Sequence, residues 1–441
     1  MASQRTMRAA VLHGREDVRI ETVERPWPGP GEVLVRNEVA LTCGTDAKVF
    51  RRGYHARMIV PPAIFGHEVA GVVEEVGEGL RGFAAGQPVV WANSAPCDAC
   101  EHCREGRPGL CDDLLFWNGA YAQYSVLPAR LVARNLLHVP EGLALRRAAM
   151  SEPLACVVRG LEPCRVRPGQ SVAVIGTGAI GLMFVVLLKA RGAHVISAGR
   201  GAHGLRRAQQ FGADVALSTG AGDLADQIRE HSRDGRGVDV AIEAVGLPET
   251  AEAAVASARK GGIVNVFGGS PADSVLRLDA ARLHYQELTL LGTFHHTPSS
   301  FREALALIAR GVVDPEQFVR AEAPLGDQRA RHDRDDKDAE HAARHTHDAI
   351  RQPAPGLTQA AELPDVLHHP ETFNETGGLA QLPADQGRVT PEGAQASHRQ
   401  VIGLDADRAE TAVGAEAAVS VAPASVHCPA FSSAFFSGEF V

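Results

Sequence analysis

The chain has 441 residues, a formal net charge of −9 and only 5% aromatic residues. That length suits two or three domains, and the acidic balance offers no basic stripe for nucleic acid. The region after Met1 lacks the apolar core of a signal peptide, so a cytoplasmic protein is expected, and its eight cysteines read as thiols or metal ligands rather than disulfides.

From Met7 to about Val139 short β-rich segments alternate with turns, clearest at Val33–Val35, Glu68–Val76 and Pro88–Trp91, with Pro26, Pro28, Pro30 and Gly31 as punctuation. The pattern predicts an irregular barrel carrying loops. Inside it, Cys43-Gly-Thr-Asp46 and Gly66-His67-Glu68 supply a thiolate, an imidazole and a carboxylate, the side chains that bind zinc best. Cys43 and His67 are too far apart for a local finger, so the fold must bring them together. The plain alternative is a buried cysteine and a core histidine. The run Gly66 to Gly77 reads as a strand pair with small residues where backbones approach.

Further on, Cys97-x2-Cys100-x2-Cys103-x7-Cys111 places four thiolates on one loop. Such spacing closes a tetrahedral site with no open position, which folds a loop and does no chemistry. With the Cys43–His67 pair this predicts two zinc ions per chain. Ser151-Glu152-Pro153 looks, in isolation, like the acidic start of a helix.

At Gly169 the period changes. Ser171–Ile175 is a strand, followed by Gly176-x-Gly178-x-x-Gly181 and a helix to about Arg191, with a second strand at His194–Ala198. In that setting the glycines turn the backbone toward a pyrophosphate at the helix N-terminus. The apolar run Val172–Leu188 is cut by the same glycines, so it reads as strand plus helix and no membrane span is expected. A helix near Leu205–Phe211, a strand at Val238–Glu243, a helix from Glu249 to Arg259 and a strand at Ile263–Phe267 complete a doubly wound parallel sheet. Where an NAD site would carry an acid, the sequence has Gly199-Arg200, which favours NADP at least as much as NAD; alternatively Arg200 stacks on adenine.

Phe301–Arg310 is an amphipathic helix returning the chain to the barrel. After about Gly326 the chain becomes rich in Asp, His, Arg, Ala and Pro, as in Arg329 to Asp338, without a sustained period. Either this is a disordered extension or, the reading we prefer, the coding frame has changed.

The Cys43-Gly-Thr-Asp46 and Gly66-His67-Glu68 motifs resemble the zinc-dependent medium-chain dehydrogenases, in their polyol and threonine dehydrogenase branch. The resemblance implies a GroES-like catalytic domain at 1–155 with a structural-zinc lobe, a Rossmann domain at 156–292, a return segment at 293–326 and an unassigned tail at 327–441. It implies a catalytic zinc held by Cys43, His67 and a carboxylate, Glu68 by resemblance, with Glu152 either a ligand or an acceptor beside the zinc. Asp46 would orient His67 and Thr45 would relay the alcohol proton. Lys48 stands where relatives often carry a relay histidine and would hold the cofactor ribose, His55 or solvent finishing the relay. The implied activity moves a hydride between NAD(P) and a secondary alcohol, with a small alcohol or ketone as partner and a homo-oligomer, dimer or tetramer, as assembly. A polyol or sugar alcohol fits the two glutamates, and Arg51, Arg52 and Arg57 suggest a sugar phosphate or simply a solvated basic loop. Threonine or simple alcohols, a zinc-free quinone or enoyl reductase, and a non-catalytic zinc or nucleotide-binding protein are the alternatives.

Overall fold

A computed structural model describes residues 5–55 and 57–325. Both readings of the tail beyond Gly326 concern residues outside that range.

The N-terminal half is antiparallel. A five-stranded sheet runs in the order Leu136–His138, Pro88–Trp91, Glu68–Val76, Val33–Leu41, Tyr124–Leu127. A three-stranded sheet, Asp17–Glu24, Thr6–Gly14, Ala63–Ile64, lies beside it. The run expected as a strand pair is one nine-residue strand, Glu68–Val76, hydrogen-bonded on both edges. No turn interrupts it, because its glycines serve close approach instead. A Cβ at Gly71 would lie 2.2 Å from the Arg36 carbonyl oxygen, and one at Gly77 would lie 1.9 Å from that of Gly29. Trp91 and Trp117 meet edge to face, 5.5 Å apart, in the apolar core beneath.

The second half is a six-stranded parallel sheet. Its order is Val215–Ser218, His194–Gly199, Ser171–Ile175, Val238–Glu243, Ala258–Val266, Thr289–Gly292. In sequence order this is 3-2-1-4-5-6, the doubly wound arrangement whose crevice opens at the carboxyl ends of strands one and four. Strand Ser171–Ile175 is buried throughout, as parallel strands covered on both faces must be. The run Val172–Leu188 divides into that strand and the helix Ala179–Ala190, and among the described residues no helix is long and apolar enough to cross a membrane.

The largest boundary difference from the sequence reading falls between the fourth and fifth strands of this sheet in chain order. The helix expected to reach Arg259 is Pro248–Ser257, and the next strand begins at Ala258, five residues before Ile263. Arg259 is drawn into the sheet by Asp239, whose carboxylate accepts its guanidinium at 2.7 Å, and a register shift between Val238 and Val240 absorbs the extra length. The return helix, Pro298–Ala309, packs on Ser151–Leu161, the helix that begins with Glu152.

Candidate active site

Cys43 caps the helix Gly44–Arg52. Its sulfur accepts the Thr45 N–H at 3.2 Å, while the Asp46 carboxylate accepts the Cys43 N–H at 3.0 Å. The motif is thus a capping box with a thiol in the capping position, and the helix N-terminus faces the sulfur. His67 ends the loop before the strand Glu68–Val76. Its Nε2 lies 3.5 Å from Cys43 Sγ, and its Nδ1 lies 3.1 Å from Asp46 Oδ1. Asp46 also accepts the Tyr121 hydroxyl at 3.0 Å, and that hydroxyl lies 2.8 Å from the Leu41 carbonyl. The ring is therefore fixed from behind, leaving Nε2 toward the sulfur.

Two carboxylates close the group. Glu68 opens its strand and Glu152 sits in the first turn of its helix, both buried. Donor atoms of His67, Glu68 and Glu152 lie within 4.8 Å of one another, as do those of Cys43, Asp46 and His67. The Glu152 carboxylate also faces His296, at 3.5 Å from Nε2, and that nitrogen lies 3.0 Å from Asn93 Oδ1.

Burial and mutual charge move these donors away from their ordinary values. Burial, then the Glu68 and Asp46 charges, push the Cys43 thiol up to about 12. Burial raises Glu68 to about 8, with His67 opposing and Glu152 adding to the rise. Burial likewise raises Glu152 to about 7. Although burial opposes it, His67 together with the bonds from Cys43 and Tyr121 holds Asp46 below the usual carboxylate range. Although burial opposes it, Asp46 raises His67 well above its ordinary value, and this ring, with a thiol and two carboxyls raised by burial, is the donor set a dication would deprotonate and bind.

Cys97, Cys100, Cys103 and Cys111 also converge within 4.8 Å. The Cys97 sulfur accepts the N–H groups of Ala99 at 3.4 Å and Cys100 at 3.3 Å, and these backbone bonds lower its thiol to about 6. Cys111 Sγ accepts the Cys97 N–H at 3.2 Å. Four converging sulfurs, two of them accepting N–H groups of their own loop, match a closed tetrahedral site.

The glycine motif forms the other wall of the cleft. Gly176 has φ +124° and packs on Ala244, and a Cβ at Gly181 would lie 1.8 Å from the Gly176 carbonyl oxygen. Gly178 caps the helix Ala179–Ala190, so its free N–H groups are available to a pyrophosphate. Gly199 ends the second strand, but its place is already filled. A Cβ there would lie 2.4 Å from Thr177 Oγ1, and one at Gly204 would be equally close. Glycine at 199 is therefore a packing requirement of Thr177 as well as a missing acid. Arg200 is exposed beside it. Lys48, on the helix Gly44–Arg52, donates across the cleft to the Gly269 carbonyl at 3.3 Å. His55 is occupied locally, its Nδ1 accepting the Met58 N–H at 3.2 Å and the Arg57 N–H at 3.3 Å.

Residues that the sequence did not point to also line the site. His295 and His296 follow the last parallel strand, with ring centroids 3.9 Å apart and planes inclined at 37°, and carry no spacing signature. Tyr121, Asn93, Cys156 and Thr177 reach it through the fold alone.

A barrel bearing cysteine, histidine and acid, joined to a dinucleotide crevice, defines a metal-dependent dehydrogenase. Comparison with known proteins agrees. Residues 29–140 match the alcohol dehydrogenase GroES-like domain, and residues 179–310 match the zinc-binding dehydrogenase family. Sorbitol dehydrogenase of Bacillus subtilis is 31% identical over 320 residues, 71% of this chain and 89% of that protein. The probable D-xylulose reductase A of Neosartorya fischeri is 30% identical, covering 70% of this chain and 88% of its own. A protein of Sinorhizobium meliloti 1021, described as a zinc-binding dehydrogenase and solved bound to NADP, superposes with a TM-score of 0.65 at 30% identity. That match covers 73% of this chain and 97% of the other. The chain belongs to the zinc-dependent medium-chain dehydrogenases, in their polyol branch.

Proposed function

We propose that this chain oxidises a secondary hydroxyl of a polyol or sugar alcohol, and reduces the matching ketone, at the Cys43–His67 centre. The observation that carries this reading is the 3.5 Å approach of Cys43 Sγ to His67 Nε2 with Glu68 and Glu152 gathered beside it. In this reading Cys43, His67 and one of the two carboxylates hold a zinc ion, which as a Lewis acid makes the substrate oxygen more acidic or the carbonyl more electrophilic. Gly176, Gly178 and Gly181, with Arg200 at the ribose end, would hold NADP or NAD, which when bound would supply the hydride acceptor or donor.

The remaining chemistry belongs to side chains. Asp46 holds His67 in one orientation. Thr45, set at the helix start by its N–H bond to Cys43 Sγ, receives the hydroxyl proton and passes it outward along the cleft. Lys48 lies one helical turn on, and its ammonium reaches the nucleotide side of the cleft, where it meets the ribose. The carboxylate not on the metal accepts hydrogen bonds from a neighbouring hydroxyl, which selects a polyhydroxylated substrate. Cys97, Cys100, Cys103 and Cys111 hold a second zinc that folds their lobe.

This proposal includes the domain limits 1–155, 156–292 and 293–326, a cytoplasmic setting, to which the seven free cysteines among the described residues are suited, and a homo-oligomer measurable by sedimentation. A screen of polyols, sugar phosphates, threonine and simple alcohols with both cofactors, read as nicotinamide absorbance, tests it. Turnover with a vicinal polyol is expected to exceed that with a simple alcohol. Turnover confined to simple alcohols or to threonine would overturn the substrate assignment.

A further inference from the structure

Cys156 has no part in the reaction just described, yet it stands one turn after Glu152 on the helix Ser151–Leu161. Residues four apart on a helix share a face, so the thiol and the carboxylate present themselves together. His295 comes to them from beyond the last parallel strand. One donor atom from each of Glu152, Cys156 and His295 lies within 4.8 Å of the others. This group is separate from the Cys43–Asp46–His67 group and touches the catalytic cluster through Glu152 alone.

Three features favour a ligand there over incidental packing. The His295 ring is fixed by Ser94, whose Oγ lies 2.6 Å from Nε2, the support a metal-ligating histidine commonly has on its second nitrogen. The His295 backbone has φ +60°, a left-handed conformation uncommon outside glycine, which turns the side chain at this position. Next to it His296, with a fully buried side chain, has its Nδ1 without a hydrogen-bond partner.

We propose that Glu152, Cys156 and His295 form a second cation position beside the catalytic one, sharing the Glu152 carboxylate. Sulfur, nitrogen and oxygen donors select a borderline-soft dication such as zinc, cobalt or cadmium over magnesium or calcium. Cys156 and His295 are both partly exposed, which gives an ion access from the cleft. One carboxylate can bridge two such ions, as in two-metal sites. Filling the second position engages Glu152 and narrows the cleft, so excess metal inhibits. The inference rests on the Cys43–His67 reading only in that Glu152 belongs to both groups.

The test counts cobalt ions per chain by native mass spectrometry, after reconstitution with excess Co2+, and records the thiolate-to-cobalt absorption. The wild-type chain is expected to hold three ions. Cys156→Ser and His295→Ala each should hold two, with weaker thiolate absorption in the first and at least tenfold weaker inhibition by excess zinc in both. Cys43→Ser should also lose one ion while keeping that of Cys156. Thermal unfolding and retention of the four-cysteine metal report that each variant is folded. Three ions retained in both Cys156→Ser and His295→Ala, or two in the wild type, would overturn the second position. Three retained in Cys43→Ser would instead overturn the catalytic centre.

Discussion

An acid cannot simply be added at the end of the second strand of this nucleotide sheet. In Gly199→Asp the new Cβ would lie 2.4 Å from Thr177 Oγ1 and 2.5 Å from its Cγ2, far inside ordinary contact. Gly204 of the following helix lies so near the same hydroxyl that a Cβ there would come within 2.4 Å of it, which leaves Thr177 little room to retreat. Over-packing of this kind costs about 1–3 kcal/mol. A carboxylate accepting a ribose hydroxyl gains about 1.5–3 kcal/mol. The two nearly cancel, so the single variant is expected to lose stability and gain little preference for NAD. Thr177→Ala removes both offending atoms and leaves a Cβ about 3.0 Å away, a contact that a shift of a few tenths of an ångström relieves. The double variant should therefore move the ratio of NAD to NADP dissociation constants toward NAD by roughly tenfold to a hundredfold, beyond the sum of the single changes. Fluorescence titration of both cofactors against four proteins, with thermal unfolding of each, measures this. A Gly199→Asp protein that switches fully to NAD at undiminished stability would refute the reasoning.

Other consequences follow from the same geometry. Cys103→Ser should lower zinc content by one ion and reduce thermal stability, leaving chemistry in the folded remainder, whereas Cys43→Ser should abolish turnover with little change in unfolding temperature; equal stability losses would sink the division of roles. Tyr121→Phe removes the hydroxyl that reaches Asp46 and Leu41, and a loss of about 1 kcal/mol in stability is expected with a fall in kcat larger than any change in KM. The pH behaviour of metal-free protein has a definite sign. Glu68 and Glu152 titrate at about 8 and about 7 when folded, above the ordinary 4.5, so the native state binds the extra protons. Their contribution is fully favourable below about pH 4.5 and is lost as pH rises toward 8. Glu68→Gln should flatten that decline in denaturant melts, and an unchanged slope would contradict the assignment. Zinc-loaded protein should show the reverse trend, since metal affinity rises as the ligands shed protons.

How much of this was legible beforehand depended on range. The four cysteines of the lobe were readable because spacing within one loop determines their geometry. The glycine motif was readable because a strand precedes it and a helix follows it. Cys43, His67 and Asp46 could be paired only through resemblance, as nothing local in residues 43–68 brings them together. His295 and His296 were invisible, because their position depends on how strand Thr289–Gly292 delivers the chain back to the barrel. Gly199 was read as a missing acid, and the contact with Thr177 that also requires it joins two separate turns. The run after Gly66 was read as two strands because its glycines look like turns, whereas Arg36 and Gly29 crowd against them. Arg259 was assigned to a helix because its partner Asp239 lies on a neighbouring strand.

The most direct test removes and restores the metal at the Cys43–His67 centre while following hydride transfer from a polyol. Turnover is expected to vanish as that ion is chelated, with the four-cysteine ion and the melting temperature retained, and to return in proportion to zinc added back. Cofactor reduction that persists after the ion has left, or in Cys43→Ser, would contradict the account.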